Sequence, residues 1–91
     1  MRFFNACAEV AQQVKNEMSQ EDRLRFMDTP YEEVWQYHFS VGMWIRNRYL
    51  GKTEYLYKAL LVLGNKTEDE MSLYLLKFIW QYLRLERACM L

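Results

Sequence analysis

Five polar residues of this chain could do chemistry if the fold gathered them: His38, Arg46, Asn47, Asp69 and Ser72. Together a histidine, arginine, asparagine, aspartate and serine could furnish a base, an anion clamp and an orienting carboxylate. His38, Gly42 and Arg46 follow one another at steps of four, which puts them on one face of a helix. The same residues have a purely structural use. A lone histidine on an apolar face is ordinarily a core residue bonded to a neighbour, a mid-helix Gly42 suits a close helix crossing, and a guanidinium near a core needs a carboxylate. Asp69 is the acid placed to meet it. The sequence therefore predicts an Arg46–Asp69 ion pair tying two helices; if that pair is buried, losing one partner costs about 3 to 5 kcal/mol.

No further chemical pattern supports catalysis. The chain has no glycine-rich phosphate loop, no histidine pair for a metal and no strand-to-helix nucleophile turn. Cys7 and Cys89 lie at opposite ends, without metal-ligand spacing or a basic neighbour to activate them, and are expected as free thiols. No cofactor or metal is expected, and an enzyme using His38 and Arg46 is the least favoured reading.

The elements that would position these residues are all helical. Phe3, Cys7, Val10, Val14 and Met18 alternate steps of four and three, one face of an outer helix. Ser19 caps a short second helix through about Met27, with Glu21 and Asp22 in its first turn. Thr29-Pro30-Tyr31-Glu32 reads as the capped start of a central helix over about 30–50, with Gly51 as its stop. Its broad apolar face takes in Val34, Trp35, His38, Phe39, Val41, Gly42, Ile45 and Tyr49, which predicts the hub of the bundle. A shorter helix is expected over about 53–63. A capping box at Thr67-Glu68-Asp69-Glu70 opens a long C-terminal helix over about 68–88. Leu73 and Trp80 fall among that helix's outward polar residues. With no alternating strand pattern, the expectation is an all-α single domain, residues 1–91, of four to five helices around the central and C-terminal ones.

Composition narrows the partners. Twelve Lys and Arg balance twelve Asp and Glu, so no net field draws the chain to phosphate or an anionic membrane. Three Trp, seven Tyr and five Phe are more aromatic surface than one small core easily hides. No apolar run nears the roughly 18 residues of a membrane span. The start, MRFFNACAEVAQQVK, is amphipathic rather than a charged leader before an apolar block, so a cytoplasmic protein is expected.

The run His38-Phe39-Ser40-Val41-Gly42-Met43-Trp44-Ile45-Arg46-Asn47, followed by Asp69-Glu70-Met71-Ser72, resembles a family of small uncharacterised bacterial and phage domains, a domain of unknown function. In that family a histidine, an aromatic and a small residue lead to Gly-Met-Trp-Ile-Arg-Asn, and a Pro-Asp-Asp-apolar-Ser element opens the last helix. Here Glu68 stands in place of the proline and Glu70 in place of the second aspartate. The resemblance implies an α-helical domain and nominates His38, Gly42, Arg46, Asn47, Asp69 and Ser72; it implies no activity.

Two binding readings follow. The favoured one is a small non-enzymatic protein-interaction module, of the kind a phage or mobile element carries as a regulator or inhibitor. Trp44, Leu73 and Trp80 are its expected interface, because aromatic anchors often dominate interfaces, and homodimerisation through the same surface is equally allowed. The alternative is a nucleic-acid-binding regulator using Arg23, Arg25, Arg46, Arg48, Lys52 and Lys58; interleaved Glu32, Glu33 and Glu54 make a continuous basic stripe doubtful.

Overall fold

The computed structural model describes residues 1–90. Its elements are α1 (Arg2–Glu17), α2 (Gln20–Asp28), a 3-10 helix (Tyr31–Phe39), α3 (Val41–Tyr49), α4 (Tyr55–Val62) and α5 (Glu68–Cys89). No strand forms among the described residues, and the all-α class stands. The number of helical elements, five α and one 3-10, exceeds the expected four to five because the central helix is not one helix.

Its break is at Ser40, whose backbone turns to φ −106°, ψ −89°, outside the helical region. The Ser40 hydroxyl and N–H both donate to the carbonyl of Tyr37, at 3.3 Å and 3.2 Å, so the side chain serves the preceding element instead of capping α3. Before the break, the 3-10 helix runs antiparallel to α5: Tyr31 packs edge-on to Trp80, with ring centroids 5.3 Å apart, and His38 reaches Asp69. From Asp69 to Trp80, α5 rises about 16 Å. Tyr31 to His38 covers about 14 Å as a 3-10 helix but only about 10 Å as an α-helix. The longer rise lets both ends keep their partners on α5.

The change of helix type re-sorts the side chains. Residues three apart eclipse in a 3-10 helix, so Tyr31, Val34 and Tyr37 share one strip. Val34 is fully buried and Tyr37 meets Phe26 edge-on at 4.8 Å. Trp35 and Phe39, expected on the inward face, are instead 59% and 86% exposed.

The hub is α5 rather than the central segment: α1, α2, the 3-10 helix, α3 and α4 all pack on it. It buries Met71, Ser72, Leu75, Leu76, Ile79 and Leu83 along a face of α period. Its outward-looking polar side proves to be covered at one end. Trp80 Nε1 donates to the carbonyl of Thr29 at 2.8 Å, and Arg84 Nη1 to that of Met27 at 2.6 Å, satisfying carbonyls that the end of α2 leaves without a helical partner. On the opposite flank, Gln12 and Lys15 of α1 donate to the Glu86 carboxylate at 2.8 Å and 2.7 Å.

Caps follow the chemistry of the sequence in part. Ser19 and Thr67 accept the N–H groups of Asp22 and Glu70, each at 3.1 Å, as helix N-caps do. The Glu70 carboxylate reaches one residue beyond a capping box, to the N–H of Lys66 at 2.7 Å. Thr29 does not cap the central segment; its hydroxyl donates to the Arg25 carbonyl at 2.9 Å, closing α2. Gly51 does not take the left-handed conformation, which only Gly64 adopts among the described residues, at φ 103°. There Asn65 N–H reaches Leu60 O and Gly64 N–H reaches Leu61 O, both at 3.0 Å, the paired bonds of a Schellman stop.

Candidate functional site

Three of the six residues nominated by the sequence block meet. Arg46, on the second turn of α3, donates through Nη2 to Asp69 Oδ1, and the same nitrogen lies 3.3 Å from His38 Nε2. The same Nε2 lies 3.6 Å from Asp69 Oδ1, so the three side chains converge on one point. The predicted ion pair forms, but not in the core. Its arginine is 20% exposed and its aspartate 67%, so solvent screens the pair and the large cost of a buried bridge does not apply. Arg46 Nε is buried with no hydrogen-bond partner.

The other nominated residues serve packing. Gly42 is buried at the second position of α3, not mid-helix, where a Cβ would lie 3.4 Å from Tyr37 O and 3.5 Å from Leu76 Cδ1. Those are ordinary contacts, so the crossing is close without excluding a methyl group. Ser72 is fully buried and its hydroxyl donates to the Asp69 carbonyl at 3.0 Å, which removes it from any role as a nucleophile facing solvent. Asn47 is exposed and stands apart from the cluster's hydrogen bonds.

Beside the cluster lies a surface groove of about 410 Å³, lined by Trp35, Gln36, His38, Phe39, Asp69, Glu70 and Leu73. His38 contributes to it; Arg46 does not. One wall is the 3-10 helix and the other is the first two turns of α5. His38 and Phe39 meet edge-on at 4.8 Å, which steadies the Phe39 ring at the rim.

The expected interface trio does not share a face. Trp44 is half-buried, 5.8 Å from Tyr49 and with Arg48 5.1 Å above its ring, at a separate groove of about 440 Å³ that α1 and α2 help to line. Trp80 is half-buried too, held between Tyr31 and Arg84 with its indole N–H committed to Thr29. Leu73 alone falls in the groove by His38. The residues that sequence reasoning misplaced are Trp35 and Phe39. Their signal was the three-residue repeat Tyr31, Val34, Tyr37, which an α period over the same stretch obscured.

Neither thiol forms a disulfide. Cys7 is buried, and burial pushes its thiol up to about 11, whereas Cys89 is exposed. Among the described residues no group of three or more His, Cys, Asp or Glu is placed to hold a metal ion, and no helix is long and apolar enough to cross a membrane. Two arginines considered for phosphate contact are already engaged: Arg25 pairs with Glu21 at 3.0 Å and Asp22 at 3.1 Å, and Arg46 with Asp69.

No curated protein and no solved structure matches the chain. A family match does cover residues 6–83, from the first turns of α1 almost to the end of α5, and so takes in the His38–Arg46–Asp69 cluster and both walls of the groove. The chain belongs to the family described as a domain of unknown function, DUF6794.

Proposed function

We propose that this chain is a small non-enzymatic protein-interaction module, a cytoplasmic regulator or inhibitor of bacterial or phage origin, and that it docks through the groove between the 3-10 helix and α5. One observation carries the reading: Trp35 and Phe39, neighbours at the same groove, hold 59% and 86% of their surface in solvent. Two large aromatic side chains left out of the core at one place, beside Leu73, are the kind of anchor that dominates interfaces. The docking residues are thus Trp35, Phe39 and Leu73 rather than Trp44, Leu73 and Trp80.

Catalysis is disfavoured by the surroundings of His38. Its Nε2 faces a guanidinium that cannot give up its charge, and Ser72, the serine nominated with it, is buried and bonded to backbone. Nucleic acid is disfavoured by the acids along the groove and by the engagement of Arg25 and Arg46.

The test compares wild type with Trp35→Ala/Phe39→Ala, after far-UV circular dichroism has shown both folded, in size-exclusion chromatography with light scattering and in a pull-down from a bacterial extract. A partner held by wild type and lost by the double variant supports the reading. Equal recovery by the two, or a wild-type monomer that holds nothing, overturns it.

A further inference from the structure

We infer that the groove takes a positively charged segment of a partner protein, with an apolar side chain seated between Trp35 and Phe39 and lysines or arginines flanking it. The inference rests on the docking reading above and deepens it, and its ground is the one-sided charge around the groove. Asp69 and Glu70 line the groove itself. Glu32 and Glu33 extend it, because in a 3-10 helix residues three apart eclipse: Glu32 continues the strip of Trp35 and His38, and Glu33 that of Gln36 and Phe39. Both glutamates are exposed. A segment lying along the 3-10 helix would leave Phe39 and Trp35 and pass directly over them.

Among the described residues, the acids here are poorly neutralised. Asp69 has Arg46, but Glu33 has only an amide proton from Gln36, at 3.3 Å, and Glu70 only the backbone N–H of Lys66. Among the described residues no salt bridge reaches Glu32, Glu33, Glu68 or Glu70. Lys77, one turn of α5 beyond Leu73 and outside the groove lining, is turned over the Tyr31 ring at 5.6 Å. The start of α5 would by itself attract an anion. Its first turn already holds Glu68, Asp69 and Glu70 and its Thr67 cap is made, so a further anion meets like charge. The aromatic rings point the same way, since the faces of exposed Trp35 and Phe39 attract a guanidinium or ammonium and repel a carboxylate. An acidic partner, a phosphate backbone or an anionic lipid surface therefore meets like charge at Glu70, Glu32 and Glu33, while a basic and apolar segment meets complementary charge and apolar side chains together.

Selection of a random peptide display library on the full chain tests this, followed by fluorescence anisotropy of the recovered peptide against wild type, Phe39→Ala and Glu32→Lys/Glu33→Lys. All the substituted side chains are exposed, and circular dichroism checks that each variant is folded. The expected result is a peptide with an aromatic or aliphatic anchor and an excess of Lys and Arg. Its affinity should fall with added salt, drop about tenfold or more with the charge reversal, and be lost in Phe39→Ala. A peptide that needs Phe39 but is neutral or acidic, or is indifferent to Glu32→Lys/Glu33→Lys, overturns the basic partner and leaves the docking reading standing. Recovery of no peptide that depends on Phe39 overturns both. Dimerisation of wild type through the groove, abolished by Phe39→Ala, would make the occupant a second copy of this chain and overturn the partner.

Discussion

Arg46 of α3 and Asp69 at the start of α5 form an ion pair between a mostly covered guanidinium and a carboxylate that remains largely in water. The arginine is held from one side by packing and by His38, but its carboxylate partner is two-thirds exposed. Removing the aspartate's charge leaves a guanidinium that is mostly covered but opens to water on the side the carboxylate held. Asp69→Asn should therefore lower stability by only about 1 kcal/mol, read as a small drop in the urea midpoint at unchanged m value. A loss of several kcal/mol would mean that the pair is desolvated in solution.

Trp80 is a stronger tie because its partner has no alternative. Its indole N–H is the bond that the half-buried Thr29 carbonyl makes where α2 ends, in a place already covered by Tyr31. Trp80→Phe keeps most of the apolar surface and removes only the donor. It should cost about 1 to 3 kcal/mol, the penalty for leaving a covered carbonyl unpaired, and thermal unfolding will show it. Trp80→Phe with the stability of wild type would show that water reaches Thr29.

Glu86 supplies the pH dependence that can be assigned to one group. The Lys15 ammonium, helped by the Gln12 amide, holds its carboxyl below the usual range, against a smaller opposing effect of burial. A carboxylate whose pKa is lower folded than unfolded stabilises the native state above its unfolded pKa, and that contribution disappears as pH falls through the folded value. The urea midpoint of wild type should thus fall on acidification from neutrality through the carboxylate range. Glu86→Gln should start lower at neutral pH, by on the order of 1 kcal/mol, and lose less on the way down. Parallel pH curves for the two proteins would remove Glu86 as the cause.

The sequence carried the outer framework of this fold clearly and its centre poorly. Helix ends written in cap chemistry, Ser19 and Thr67, are where the side-chain oxygens act, and the α-period faces of α1 and α5 are buried as spaced up to Leu83, while Leu85, expected on the same inward face, is 66% exposed. The Arg46–Asp69 pair was legible because a fixed charge on a mostly apolar face leaves few partners. The 3-10 helix was not. Tyr31, Val34 and Tyr37 satisfy a period of three, while Val34, His38 and Val41 satisfy one near 3.6. The choice between them is made by the length of α5 that must be spanned, a tertiary quantity absent from the local pattern. That single ambiguity displaced both aromatic residues of the groove, Trp35 and Phe39, and with them the candidate interface.

The 3-10 helix should also be the least protected of the long elements. Its hydrogen bonds are less well aligned than α-helical ones, its run far exceeds the usual three or four residues, and it buries only Val34 completely. Tertiary contact with α5, rather than its own hydrogen bonds, holds it in place. Hydrogen exchange followed by NMR should find the amides of residues 34–39 opening at least about tenfold more readily than those of residues 75–83, which sit in the buried stretch of α5. A ligand in the groove would slow exchange in the 3-10 helix first, since Trp35, Gln36, His38 and Phe39 form one wall of it. Equal protection of the two stretches without ligand would mean that the 3-10 helix is part of the globally unfolding core, and that its aromatic residues are held out by a rigid scaffold.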